Sequence, residues 1–143
     1  MRVYILTAMA AFCLTPEPDD AAKKDLAKLE GTWTLVAMEV DGKPVPEAKL
    51  VSASLTISSN KYSLTSRNKL HEVEIKLDAS KSPKEIDMTF LDGPNKDRVG
   101  KGIYELDGDK LKICRSLDPQ DERPKDFKTE GRVNYFVMVW ERK

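Results

Sequence analysis

The sequence predicts an all-β fold: a small antiparallel up-and-down barrel of about eight strands, preceded by a short helix. Three observations carry that expectation. After Gly31, apolar and polar residues alternate with period two, and clusters of Gly, Pro, Asn, Asp and Ser separate the runs. The stretch "GIYELDGDKLKIC" places Asp107-Gly108 between two alternating arms, as a hairpin does. The first and last strands, unlike the others, are apolar on both faces, which a sheet closed by pairing its two ends accounts for.

A chain of 143 residues suffices for one domain around one core. Charged residues make up 34% and cancel to a formal net charge of zero, so no overall field favours a phosphate backbone, and nucleic acid is not expected as a partner. His71, Cys13 and Cys114 are the only His and Cys residues and lie too far apart for a zinc-ligand pattern. The loops "LDGPNKD" and "LDGDK" lack the carboxylate spacing of a calcium loop. No metal, cofactor or catalytic group is therefore expected.

Residues 1–20 differ from the rest. Arg2 precedes an apolar run from Val3 to Leu14, which ends abruptly at "TPEPDD". This reads as a signal peptide with a spacer and predicts an exported protein, periplasmic, envelope-bound or secreted. The run is shorter than the roughly 20 residues that a membrane-spanning helix needs. A lipoprotein signal with a lipid anchor at Cys13 is the rival, opposed by bulky Phe12 where such signals place a small residue. The plain alternative is a disordered or core-packed N-terminus. In an oxidising compartment Cys114 would be a lone thiol, expected to be buried rather than bridged. The single domain then spans residues 21–143.

From Ala21 to Glu30 good helix formers follow Asp19 and Asp20, either of which can cap the start, and Leu26 with Leu29 gives a small apolar face. So short a helix must lie against something else. The first strand sets Trp33, Leu35 and Ala37 against Val36, Met38 and Val40. "VSASLTISS" puts Val51, Ala53, Leu55 and Ile57 on one face, and "HEVEIKLDA" puts Val73, Ile75, Leu77 and Ala79 on one face. Ile86, Met88 and Phe90 follow in the next run. Folding at Asp107-Gly108 keeps Tyr104, Leu106, Leu111 and Ile113 together, and a four-residue turn also pairs Glu105 with Lys112. In the last strand Val133, Tyr135, Val137 and Val139 oppose Phe136, Met138 and Trp140. Closure of the barrel by these end strands, with the N-terminal helix covering an outer apolar strip, explains the two-faced pattern. A weak homodimer through the same strands, instead of a monomer, is the competing account.

Gly31 two residues before Trp33, after a helical turn, resembles the entry motif of the lipocalin superfamily. There the Trp plugs one end of the barrel and a late arginine stacks on it, a role the resemblance gives to Arg132 or Arg142. Over residues 26–140, "LAKLEGTWTLV", "DGKPVP", "SPKEIDMTF", "GKGIYELDGDKLKIC" and "ERPKDF" resemble an uncharacterised lipocalin-like domain family abundant in planctomycete bacteria. The matching positions are Asp87, Tyr104, Cys114, Arg123, Pro124 and Phe127. The resemblance implies a small, usually exported lipocalin-like barrel, and it brings no activity with it.

The candidate ligand-cavity residues are Trp33, Leu55, Tyr62, Phe90, Tyr104, Arg115, Arg123 and Tyr135; Gly31, Trp33, Asp87, Cys114, Pro124 and Phe127 are the structural motif. Trp33 is expected mainly as a plug, Cys114 as a buried thiol, His71 as a rim or core residue. Arg123 is expected to pair with Asp87 or a backbone carbonyl rather than with a ligand. Tyr104 and Tyr135 share the inward parity, where a phenol requires a polar partner. Two functions remain in view: a binding module for a small apolar or amphipathic molecule, without catalysis, and a cell-envelope interaction or inhibitor-type domain with a filled core.

Overall fold

The computed structural model describes residues 18–143. The expected signal peptide, its cleavage site and an anchor at Cys13 lie outside the described residues. Helix α1 (Pro18–Leu29) is followed by strands β1 (Gly31–Val40), β2 (Lys43–Pro44), β3 (Ala53–Ser58), β4 (Lys61–Ser66) and β5 (Lys69–Asp78). Then come β6 (Lys84–Phe90), β7 (Val99–Asp107), β8 (Lys110–Ser116) and β9 (Tyr135–Arg142). The helix takes in residues 18–20, which the sequence pattern assigns to the spacer.

Every pairing is antiparallel between neighbours, and β1 also pairs with β9, so eight strands close into an up-and-down barrel with the two-residue β2 as an appendage to β1. Among the described residues no long strand is left with a free edge. The hairpin β7–β8 adopts the register that pairs Glu105 with Lys112 and Leu106 with Leu111.

The interior is the alternating set of the sequence: Leu55, Ile57, Val73, Ile75, Ile86, Met88, Leu111 and Ile113 are all buried. The two-faced pattern of the end strands has two separate causes. In β1 the register with β9 slips between Leu35 and Ala37, leaving Val36 as a bulge, and the slip returns Met38 and Val40 to the face of Trp33 and Leu35, opposite Met138 and Phe136. In β9 the inward residues are Phe136, Met138 and Trp140, while Val137 joins Ile103 and Cys114 in a small cluster on the outside of the wall. The cover of that cluster corrects the expectation: it is Phe127, from the long β8–β9 connection, and not the helix. Helix α1 instead stops the end of the barrel, with Leu29 buried in the main core and Ala22 and Leu26 packed against it.

Candidate functional site

At the helix end, Gly31 has φ +128°, a conformation that favours glycine, and a Cβ there would meet Arg142 Nη1 at 2.9 Å. Arg142 needs that space because its guanidinium lies 4.2 Å from the centre of the Trp33 ring. It also donates to Glu30 O at 2.6 Å and to Lys28 O, the free carbonyls at the end of α1. The Trp33 indole, wholly buried, donates to Leu29 O at 2.9 Å. Of the two arginines named for the stacking position, it is Arg142 that takes it; Arg132 pairs with Asp126 at 2.9 Å.

A second pin holds α1, and nothing in the sequence marked it. Asp25, 6% exposed, accepts from Tyr104 Oη at 2.6 Å and from Lys84 Nζ at 2.8 Å. Burial acts to raise its pKa, but the two bonds and the Lys84 charge outweigh burial and hold the carboxyl below its usual 3.8. Burial and the bond to Asp25 raise the Tyr104 pKa. Tyr104 does point inward, and its hydroxyl is spent on the helix rather than offered to a guest. Beside this pin a cleft of about 620 Å³ runs between α1 and the β7–β8 turn, lined by charged groups including Lys28, Lys84, Asp109 and Arg142.

The far end of the barrel is differently made. Arg115, next to last in β8, extends its guanidinium 4.8 Å from the centre of the Phe136 ring and 5.6 Å from that of Phe90. Its Nη1 donates to Ser116 O at 2.9 Å, while its Nε is sealed from solvent with no partner among the described residues. Desolvation depresses the Arg115 pKa. The Tyr62 hydroxyl is likewise sealed and unpartnered, as is Trp140 Nε1 nearer the helix end, where Trp140 pairs with Leu35 and Leu111. Burial pushes Tyr62 up to about 12, with the charge of Arg115 acting the other way.

Arg123 and Tyr135 do not join this group, which corrects their place among the cavity residues. Arg123 lies outside the wall, bonded to Asp87 at 2.5 Å, to Gly102 O at 2.7 Å and to Ile86 O at 3.1 Å. Tyr135 lies on the outward parity of β9 because its neighbour Phe136 is the inward residue, and its hydroxyl donates to Glu122 O at 2.7 Å. The two line a surface cleft with Pro124. Pro124 is buried and Arg123 anchors one end of the connection over the wall; Thr129, 0% exposed, anchors the other by accepting from Gly42 N and donating to Glu39, both at 2.8 Å. Burial beneath this strap pushes the Cys114 thiol up to about 11. His71 is exposed at the rim, 3.3 Å from Asp92.

The sequence reading found Trp33, Leu55, Tyr62, Phe90, Tyr104 and Arg115 inside the barrel. It missed Phe136 as a site residue, although Phe136 stands on the parity opposite the one chosen for Tyr135. Among the described residues no cluster of His, Cys, Asp and Glu suits a metal ion, and no helix is long and apolar enough to cross a membrane. The chain matches no protein-family model, no curated protein and no solved structure.

Proposed function

We propose that this chain is an exported, non-catalytic, lipocalin-like binding module that takes a small apolar or amphipathic molecule at the barrel end opposite the helix. The observation that carries this reading is Arg115 Nε, sealed and without a partner among the described residues, in an apolar interior that also holds the sealed Tyr62 Oη. A buried polar group left without a partner costs about 1–3 kcal/mol, so a bound molecule that supplies the partners gains what the empty barrel lacks. Five of the exposed large aliphatic residues, Val40, Leu70, Val99, Leu117 and Val133, stand at or beside strand ends on this same side, which suits an apolar portion of a guest.

A second reading, an envelope interaction domain with a filled barrel, is favoured by the bulk of the interior. Trp33, Trp140, Tyr62 and Tyr104 are each no more than 1% exposed. In that case waters meet the sealed atoms and the aliphatic rim receives a protein. Native mass spectrometry of the chain purified from its host under gentle conditions separates the two. A mass increment that disappears on denaturation supports the carrier, and a bare chain with a copurified protein supports the interaction domain.

A further inference from the structure

We propose that the far end of the barrel seats the anionic head of a small monocarboxylate with a short apolar body, bound by Arg115 between Phe90 and Phe136. This rests on the binding reading above and adds the sign of charge and the size of the guest.

The sign follows from what Arg115 lacks. Arg123, Arg132 and Arg142 each have a carboxylate within 4.0 Å, whereas among the described residues none pairs with Arg115. A guanidinium drawn partly out of water, with one nitrogen sealed, and left without a counter-charge is unfavourable, and its planar fork of donors fits a carboxylate. The single carbonyl it reaches, Ser116 O, occupies Nη1 and leaves Nε sealed and unpaired. Tyr62 Oη, equally sealed, offers a second polar group to the same interior, and each of the pair senses the charge of the other.

The local backbone is built to bring Arg115 and Phe90 against the wall. Gly100 and Gly102 occupy the inward face of β7, opposite Met88 and Ile86. A Cβ at Gly100 would stand 3.2 Å from the Phe90 ring, and one at Gly102 would stand 2.9 Å from Cys114 O and 3.3 Å from Arg115 Cβ. Any side chain at these two positions would push the aromatic ring or the arginine stem back into the lumen. The size of the guest follows from the residues that fill the barrel beneath Arg115. Below this level Leu55, Ile113, Trp140 and Trp33 fill the barrel, each no more than 1% exposed. The guest therefore enters head first only as far as Arg115, and its body lies outward of Arg115 against the aliphatic rim.

The experiment is an NMR titration of the isotope-labelled mature chain with three probes of equal length: hexanoate, hexan-1-ol and hexylammonium. Hexanoate should bind at least about tenfold more tightly than the alcohol, the gain of one charge-assisted contact, and should shift the Arg115 Nε–H signal. Arg115→Met should bring hexanoate down to the level of the alcohol while the alcohol changes by less than about twofold, and Arg115→Lys should recover part of the preference. Should Arg115→Met not fold, the wild-type Nε–H signal decides, since a signal unmoved by saturating hexanoate overturns the seat. Equal affinity for hexanoate and hexanol overturns the anionic head and leaves the carrier reading intact. Absence of binding by all three probes overturns both.

Discussion

Arg142 closes several contacts at one point: it stacks on Trp33, donates to the last carbonyls of α1, lies 3.4 Å from Asp109 and occupies the space that Gly31 leaves free. The glycine and the tryptophan are thus explained by one side chain at the other end of the chain, and their role is structural. Trp33→Ala should cost about 3–5 kcal/mol in urea denaturation because it opens a cavity under a plugged end. Arg142→Met keeps the apolar cover but leaves helix-end carbonyls without their donor, and should cost about 1–2 kcal/mol. A shift below about 0.5 kcal/mol would show that solvent replaces Arg142 without loss. Asp25 gives a pH signature. Its folded pKa lies below 3.8, so the unfolded state binds more protons as the pH falls, and the pin's contribution is complete above about pH 4 and lost below the folded value. Asp25→Asn should therefore cost about 1–3 kcal/mol at pH 7, with the gap to wild type narrowing as the pH falls below 3.8. A gap that does not change with pH would assign the loss to packing rather than to the carboxylate.

Among the elements, the strands facing one solvent and one core were legible because the period of two forces every second residue to the same side. That is why β3, β5, β6 and the β7–β8 hairpin sit where the alternation put them. β1 misled because one extra residue, Val36, reverses parity midway, and an alternation with a reversed phase looks the same as burial on two faces. β9 misled for a different reason: Val137 and Val139 are apolar and outward, and only the connection between β8 and β9 shows what covers them. With no regular period, that connection gave no sign of its path, so the assignment of Tyr135 to the interior failed with it. The half of the site that lies on alternating strands, Tyr62, Phe90 and Arg115, was readable. Its missing partner Phe136 stands on the strand whose face was assigned the wrong way. The cover makes its own prediction. Cys114, with its thiol pushed up to about 11 and closed over by Phe127, should react with iodoacetamide at pH 8 at least about a hundredfold more slowly than a free cysteine. Thr129→Val, which removes the bonds to Gly42 and Glu39, should raise that rate without unfolding the barrel. Alkylation of the native chain at the free-thiol rate would mean that the strap stands open in solution.

For the molecule as a whole, closure decides how it meets its own copies. A two-faced apolar strip on the first and last strands left open a homodimer built on that strip, but in the barrel those strands spend their edges on each other through seven paired positions from Trp33–Arg142 to Val40–Phe136. The outer residues that could have formed a second interface, Ile103, Cys114 and Val137, are no more than 5% exposed beneath the strap. The large apolar residues exposed among the described residues are those of the rim at the far end and the bulge residue Val36, 41% exposed, which stands apart from them in the middle of β1. The chain is therefore expected to be a monomer up to at least about 100 μM, a concentration at which an interface of ordinary size would already hold pairs together. Light scattering across that range should give a constant mass, below the 16.1 kDa of the full chain if the first residues are removed on export. A dimer would overturn this, and a test of Val36→Lys against Leu117→Lys would tell which surface made it. Loss of the dimer with the first change returns the interface to β1, and loss with the second places it on the rim, where it would compete with the proposed ligand.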